Sequence, residues 1–336
     1  MNYKTNLPIS GLTTMRLGGP AKVVLKVTKP SEVVEAYAFA KKKNLPVFIL
    51  GEGSNVIGRD NGFPGVVLLN RMKGIEIIKD TPKTLTLKVM SGEILDDVIR
   101  LTTDKGLSGI EAMTDIPGTI GATIVQNSGA YGQDISQVLQ SLEAYDTKSD
   151  KIVTISRRRC KLSYRQSIFQ SPRYFIISVT LKVRKTQLKP PFYESLQAYV
   201  EANGVTDFSP ANIRSIVAKL RSDKLPDTGE EASSGSFFYN VVVSRKRAKQ
   251  LKKQYPGIPI FRLNKRYEVA SGWLIEQTGL KGKVLHGMYV SDKSALILIN
   301  KSAKRYSDLA AAREEIKETV YAKFGLELIQ EPVELV

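Results

Sequence analysis

The chain has 336 residues, 42% of them hydrophobic and 25% charged, with one cysteine, one histidine and a net charge of +17 at neutral pH. That length allows two or three domains and a sizeable core, and no run approaches the ~18 consecutive apolar residues of a membrane span. With Cys160 the only thiol and His286 the only imidazole, an internal disulfide framework and a zinc site of several His or Cys ligands are excluded.

The charge is unevenly spread. Residues 1–150 hold 17 Lys/Arg against 16 Asp/Glu, whereas residues 151–336 hold 33 against 17. A basic half suits nucleic acid or an anionic small molecule such as a nucleotide, although zinc-finger, RNP-type and leucine-zipper patterns are absent. The first residues, MNYKTNLPISGLTT, lack the apolar core of a secretory signal. With the lone thiol, this leads us to expect a cytoplasmic protein.

In chain order, SEVVEAYAFAKKKN (31–44) predicts a helix: Ser31 as cap, Val33, Ala36, Tyr37 and Ala40 at helical spacing, and Lys41 to Lys43 at the negative end of the dipole. LPVFIL (45–50) reads as a buried strand that runs into GEGSN (51–55), a turn whose backbone amides suit a phosphate. Neither the Walker lysine nor a helix-opening Gly-x-Gly-x-x-Gly follows, and 56–65 reads on as loop. Strands are expected at 65–70, 84–90, 151–155 and 174–183, with a helix at 95–106 ending at Gly106. The basic, proline-containing stretch 184–192 reads as a connector. A helix follows from Ser209 as cap and Pro210 in the first turn, its apolar face formed by Ile213, Ile216, Val217 and Leu220. His286, in KVLHGMYV, reads as a packing residue on a strand, and a last helix is expected over 307–325 with Ser307 as cap and Gly325 as stop. The mixture implies an α+β chain with a domain boundary near 222–228.

The run GTIGATIVQNSGAYGQ (118–133) carries four glycines, two alanines and no charge. Glycine costs backbone entropy, so such a cluster marks positive φ values or close approach of another group. A tight loop between core strands and a surface lying along a large cofactor both satisfy the pattern.

Seven ordered islands separate these readings: TTMRLGGPA (13–21), ILGEGSNVI (49–57), GIEAMTDIPGTIGATIVQNSGAYG (109–132), CKLSYRQSIF (160–169), GSFFYN (235–240), ASGWLIEQTGLKG (270–282) and FGLELIQEP (324–332). Together they resemble the UDP-N-acetylenolpyruvoylglucosamine reductase (MurB) family, of the type with a uridine-covering tyrosine loop. The resemblance implies an α+β protein: a vanillyl-alcohol-oxidase-type (PCMH-like), two-part FAD-binding domain plus a smaller α+β substrate-binding domain. It places the first FAD subdomain at 1–70, closed by a C-terminal strand at 326–336. The second would span 71–222 with an inserted loop at 184–205, and the substrate domain 223–325.

The resemblance further implies non-covalent FAD, NADPH as reductant, and UDP-N-acetylglucosamine enolpyruvate as substrate, in a monomer that binds neither nucleic acid nor membrane. FAD would lie along Gly51, Gly53, Ser54, Asn55, Pro117, Gly118, Gly121, Ala122, Asn127, Gly129, Ala130, Tyr131 and Ile177. Arg165 and Glu331 match the pair that stabilises charge building on the substrate carboxylate, and Ser236 matches the proton donor. Tyr164, Tyr193, Arg221, Lys224, Asn240 and Lys281 match positions around the UDP-sugar. The family pattern Ser-Phe-Phe-Lys-Asn-Pro departs here to Tyr239 and Val241, 289–300 lacks a histidine often found there, and the chain ends five residues after Glu331. Two alternatives compete: an FAD oxidase of another small molecule on the same fold, and a nucleic-acid-binding protein using the basic half. Covalent flavin is disfavoured because His286 and Cys160 fall outside the glycine-rich islands.

Overall fold

The computed structural model describes residues 3–226, 229–263 and 266–336. The chain forms two compact units, one of Met1–Asn6, Ala21–Glu52 and Pro64–Ser222, the other of Leu7–Pro20, Gly53–Phe63 and Asp223–Val336.

The first unit holds two large sheets and a two-stranded one at Gly129–Asp134. In one, the strands run Tyr3–Pro8, Pro20–Val27, Phe63–Asn70, Val47–Leu50 in spatial order, the last two parallel with Val47 opposite Val66 and Leu50 opposite Leu69. Helix Pro30–Lys42 lays Val33, Ala36 and Ala40 against Val23, Leu25, Val66 and Leu68 of this sheet. Its start corrects the expectation for Ser31. Lys29 is the cap residue and Pro30 opens the helix, while the Glu32 carboxylate accepts from the Thr28 amide (2.7 Å) and hydroxyl (3.0 Å).

The second sheet is antiparallel, in the order Lys151–Ser156, Leu139–Asp146, Tyr174–Arg184, Thr84–Met90, Ile75–Asp80. Alternate residues Leu85, Leu87, Val89 and Val179, Leu181, Val183 are buried against helices Leu95–Asp104 and Ile120–Gln126. Each side chain so buried stabilises by ~1.5–3 kcal/mol. Cys160 belongs to this core. The stretch expected to be a plain inserted loop contains helix Glu194–Ala202, whose Leu196 and Val200 pack with Ile213, Ile216 and Val217 of helix Pro210–Ser222. Ser209 accepts from the Asn212 amide at 3.4 Å, as its expected cap role requires.

The spine of the second unit is helix Tyr306–Phe324, which buries Leu309, Ala312, Ile316, Val320 and Phe324 at helical spacing and stops at Gly325 with φ 60°. Ser307 is not its cap: Arg305 precedes the helix, and the carboxylate of Asp60 accepts from the amides of Tyr306 (2.6 Å) and Ser307 (3.1 Å). An anion fixed at that end satisfies orphan donors and opposes the dipole. Around the spine lie a sheet ordered Ser233–Ser236, Ile297–Asn300, Met288–Val290, Val284–Leu285 and another ordered Val241–Val243, Arg266–Val269, Ile260–Leu263. Val56–Gly58 pairs in parallel with Val333–Leu335, so the expectation of continuous loop after residue 55 is corrected.

His286 is also corrected. It occupies the left-handed region (φ 49°) between two strands, stands half exposed, and its Nε2 lies 3.0 Å from the Glu315 carboxylate. Among the described residues no helix is long and apolar enough to cross a membrane, and no cluster of His, Cys, Asp and Glu is placed to hold a metal.

Candidate functional site

The expected residues divide between the units. In the first unit, the strand Val47–Leu50 delivers Gly51 to the start of helix Ile120–Gln126. A Cβ on Gly51 would lie 2.8 Å from Thr119 Oγ1 and 3.6 Å from the Ala122 side chain. The structure thus joins two glycine-bearing segments nearly 70 residues apart in sequence. Arg71 holds the junction by donating to the carbonyls of Gly51 (2.8 Å) and Asn70 (2.9 Å). Pro117 and Gly118 (φ 129°) lead into the helix, and Thr119 accepts from the Ala122 amide at 3.4 Å.

Gly121 packs on Ser91: its amide donates to the Ser91 carbonyl at 2.8 Å, and a Cβ would meet Ser91 Cβ at 2.9 Å. Ser91, fully buried, was not anticipated. Its hydroxyl donates to Ile176 O (2.6 Å) and accepts from Asn70 (2.7 Å), and its amide donates to Ile177 O (2.9 Å). A serine closing an apolar strand immediately before a glycine was the available signal. Ile177 itself is 2% exposed and packs among Leu25, Val27 and Phe175.

Asn127 ends the helix in the left-handed region (φ 42°) and donates to Ser163 O at 2.9 Å. Its Oδ1 is buried with no hydrogen-bond partner. Gly129 and Ala130 pair with Asp134 and Gln133 around a tight turn at Tyr131 (φ 48°). A Cβ on Gly129 would sit 2.3 Å from Gln133 O, so this glycine has an internal reason. Tyr164 and Arg165 form the tip of another tight turn, closed by reciprocal 3.1 Å bonds between Ser163 and Gln166. Asn127 and a 2.7 Å bond from Ser167 to Val125 O fasten that turn to the helix, and the Arg165 guanidinium lies 5.3 Å over the Tyr164 ring.

Tyr193 precedes helix Glu194–Ala202, half exposed, with its ring edge-on to Tyr131. Beside them lies a cleft of about 230 Å³ lined by Arg184, Lys189 and Phe192 among others. Arg221 donates to Asp115 O at 3.1 Å, while its Nε is buried without a partner. Burial pulls the Arg221 guanidinium below its ordinary pKa, against the opposing pull of Tyr131 and Asp115. Asp115 (φ 58°) is in turn held by Asp96, which accepts from its amide at 3.0 Å.

In the second unit, Gly53 has φ 70° and admits no side chain, since a Cβ would lie 2.2 Å from Leu12 O. Its carbonyl accepts from Thr14 (3.2 Å), and the Asn55 carbonyl accepts from Val333 (3.0 Å), so Ser54 lies in a loop fixed on both sides. Ser236 ends a strand opposite Ile297. The chain then pairs with the C-terminal segment: Tyr239 donates to Ile329 O (2.9 Å) and Glu331 to Phe237 O (2.9 Å). The pairing sets Glu331 opposite Phe237, one residue after Ser236 and from a segment more than 90 residues on in sequence. Phe237 and Phe238 anchor it, at 0% and 1% exposure.

The departure residues fit locally. Tyr239 O accepts from the Ser271 hydroxyl (2.6 Å), and Val241, able to donate where proline is not, opens a strand opposite Val269. Asn240 uses its Oδ1 on the Ser271 amide (3.2 Å), and Lys281 is paired with Glu276 at 2.8 Å. Lys224 lies exposed in the turn after helix Pro210–Ser222.

Glycine-rich segments packed at the ends of a strand and a helix, beside an antiparallel sheet, place the chain in the α+β class. Residues 21–156 match the FAD binding domain family model. The fold resembles the crystal structure of UDP-N-acetylenolpyruvylglucosamine reductase from Thermus caldophilus, with a TM-score of 0.71 and 20% identity over 100% of both chains. Residues 227–335 match the C-terminal domain model of UDP-N-acetylenolpyruvoylglucosamine reductase. Proteins of that name are 35% identical in Pasteurella multocida (93% of this chain, 91% of the relative) and 33% in Neisseria gonorrhoeae (99% and 96%). The Dechloromonas aromatica protein is 32% identical over 99% of each chain. The chain belongs to the UDP-N-acetylenolpyruvoylglucosamine reductase family, and is an FAD-dependent oxidoreductase. The unpartnered Oδ1 of Asn127 fits a bound group that brings its own donor, as a flavin nucleotide does.

Proposed function

We propose that this chain reduces UDP-N-acetylglucosamine enolpyruvate to UDP-N-acetylmuramate, with NADPH as electron source, in peptidoglycan precursor synthesis. The observation that carries the reading is the pairing of 237–239 with 329–331, which ties the segment that carries Ser236 to the one that carries Glu331 in a chain of this family. A bound flavin would supply two-electron hydride chemistry between NADPH and the vinyl carbon of the substrate.

The chain's own residues manage the charge and the proton. Hydride addition drives negative charge onto the substrate carboxylate, and the forked donors of Arg165, with Glu331 as the partner that the family resemblance implies, stabilise that enediolate. Ser236 donates the proton to C2; a weak hydroxyl acid suffices for so basic an acceptor. Tyr164, Tyr193, Arg221, Lys224, Asn240 and Lys281 grip the UDP-sugar. Asn240, its acceptor engaged by Ser271, keeps its amide hydrogens for the ligand.

In this reading 1–70, 71–222 and the closing segment 326–336 hold the flavin and 223–325 the substrate, in a cytoplasmic monomer without membrane or nucleic-acid partners. Flavin is held non-covalently: Cys160 is buried in a sheet core, and His286 is engaged by Glu315. An anaerobic experiment tests the whole. NADPH should bleach the flavin absorbance and the UDP-enolpyruvyl sugar should restore it, with free FAD released by acid. Bleaching that the UDP-sugar cannot reverse sinks the reading.

A further inference from the structure

In the second unit the hydroxyls of Thr13, Ser233 and Ser234 have no hydrogen-bond partner, although these residues are only 6%, 0% and 5% exposed. A hydroxyl taken from water and given no partner destabilises the fold that contains it. Three such groups in one place require a reason.

They are in one place. Thr14, next to Thr13, donates its hydroxyl to Ser233 O at 2.6 Å and its amide to Gly53 O at 3.2 Å. A Cβ on Gly53 would sit 2.8 Å from Thr13 Cα. The segments 12–14, 53–55 and 233–234 therefore meet where the chain turns at Gly53 with φ 70°. None of these segments carries a charged side chain. Neutral donors grouped at a tight, glycine-containing turn are a site for phosphate oxygens, which accept strong, charge-assisted hydrogen bonds.

We propose that Thr13, Ser233 and Ser234 donate to the diphosphate of the dinucleotide bound at the 53–55 loop. This rests on the FAD reading above and adds three residues to which the family resemblance gave no role. It also explains why the hydroxyls are unpartnered: their acceptors arrive with the cofactor.

The test uses Thr13→Val, which keeps the shape and removes the hydroxyl, with Ser233→Ala, Ser234→Ala and the triple variant. After flavin removal, the dissociation constant of FAD is read from fluorescence quenching, and ADP is titrated as a competitor carrying a diphosphate without the ring. Each substitution should weaken FAD and ADP alike, by about tenfold or more, the effect of one hydrogen bond to a charged group. The flavin-free variants should melt at or above the wild-type temperature, because an unsatisfied buried group has gone. Unchanged FAD affinity overturns the proposal. So does weakened FAD with unchanged ADP, since the hydroxyls then serve another part of the cofactor. A flavin-free melting temperature that falls in step with FAD affinity also overturns it, by assigning them to packing. Wild-type protein that fails to bind FAD at all refutes the flavin reading, a separate outcome.

Discussion

The ring of Tyr193 meets that of Tyr131 edge-on, with centroids 5.9 Å apart and planes at 79°. The contact sets the aromatic side chain at the start of helix Glu194–Ala202, where Tyr193 stays 48% exposed. Tyr193→Phe should keep the aromatic pair and lose only the hydroxyl, weakening UDP-sugar binding by about 1 kcal/mol. Tyr193→Ala should cost a further ~0.5–1.5 kcal/mol as the pair is lost. Isothermal titration of the oxidised enzyme with the UDP-sugar measures both, and equal affinities for all three proteins would mean that the insertion does not touch the ligand.

Ser236→Ala separates the two half-reactions. Flavin reduction by NADPH should stay near the wild-type rate, while reoxidation by substrate should slow by at least ~10²-fold, the low end for a general acid. Stopped-flow absorbance resolves them, and comparable damage to both would make Ser236 a structural residue.

Glu334 is gripped from two directions: Arg59 donates to one carboxylate oxygen at 2.6 and 2.8 Å, Arg313 and Tyr306 to the other at 2.7 Å. Burial alone would raise its pKa, but the bonds from Tyr306, Arg59 and Arg313 outweigh it and hold the carboxyl below the usual range. A depressed folded pKa gives stability that is full above the unfolded value of about 4.5 and is lost as pH falls through the folded one. Glu334→Gln should therefore destabilise at pH 7, by on the order of 3 kcal/mol for one member of a mostly buried pair. The gap between the two melting curves should narrow below pH 4. A gap constant with pH would show that the charge is irrelevant.

Cys160 is buried, and burial pushes its thiol up to about 11. Native protein at pH 8 should react with a thiol reagent only as fast as it unfolds, and denaturant should release one thiol per chain. Rapid native labelling would place Cys160 within reach of solvent and reopen it as an attachment point for flavin.

The basic half offers a last discrimination. UDP should protect the protein against thermal unfolding, by about 2.7 kcal/mol at a hundredfold excess over Kd, and Lys224→Ala should remove much of that protection while leaving flavin bound. Duplex DNA at physiological salt should do nothing; protection by DNA and none by UDP would point to a nucleic-acid-binding surface.

Much of the architecture was legible because periodicity reports burial directly. The alternation in TLTLKVM and the apolar face of Ile213, Ile216 and Val217 became a strand and a helix as expected. What escaped depends on partners distant in sequence. Ser31 and Ser307 have the right chemistry for caps, yet each helix starts elsewhere, because Pro30 fixes one first turn and Asp60 satisfies the amides of the other. His286 follows a strand-like apolar pair, but a local reversal at Gly287 turned it outward. For the glycine-rich run a tight loop and a surface along a cofactor both satisfied the pattern, and the resemblance favoured the cofactor. At Gly121 and Gly129 the close neighbours are Ser91 and Gln133 of the protein itself, an arrangement that no spacing in the sequence announces.

The strand Val56–Gly58 finds its partner at Val333–Leu335, and Asp60 serves a helix that begins at Tyr306. During synthesis these early residues leave the ribosome long before either partner exists. The first unit needs nothing beyond Ser222, so it can fold while the remainder is still being made, as domains generally do. The second must wait, holding Val56–Gly58 without its partner strand until Val333–Leu335 has been made. A released chain cut short before Val333 would therefore carry an unsatisfied strand edge at Val56–Gly58, a species suited to chaperone capture or proteolysis.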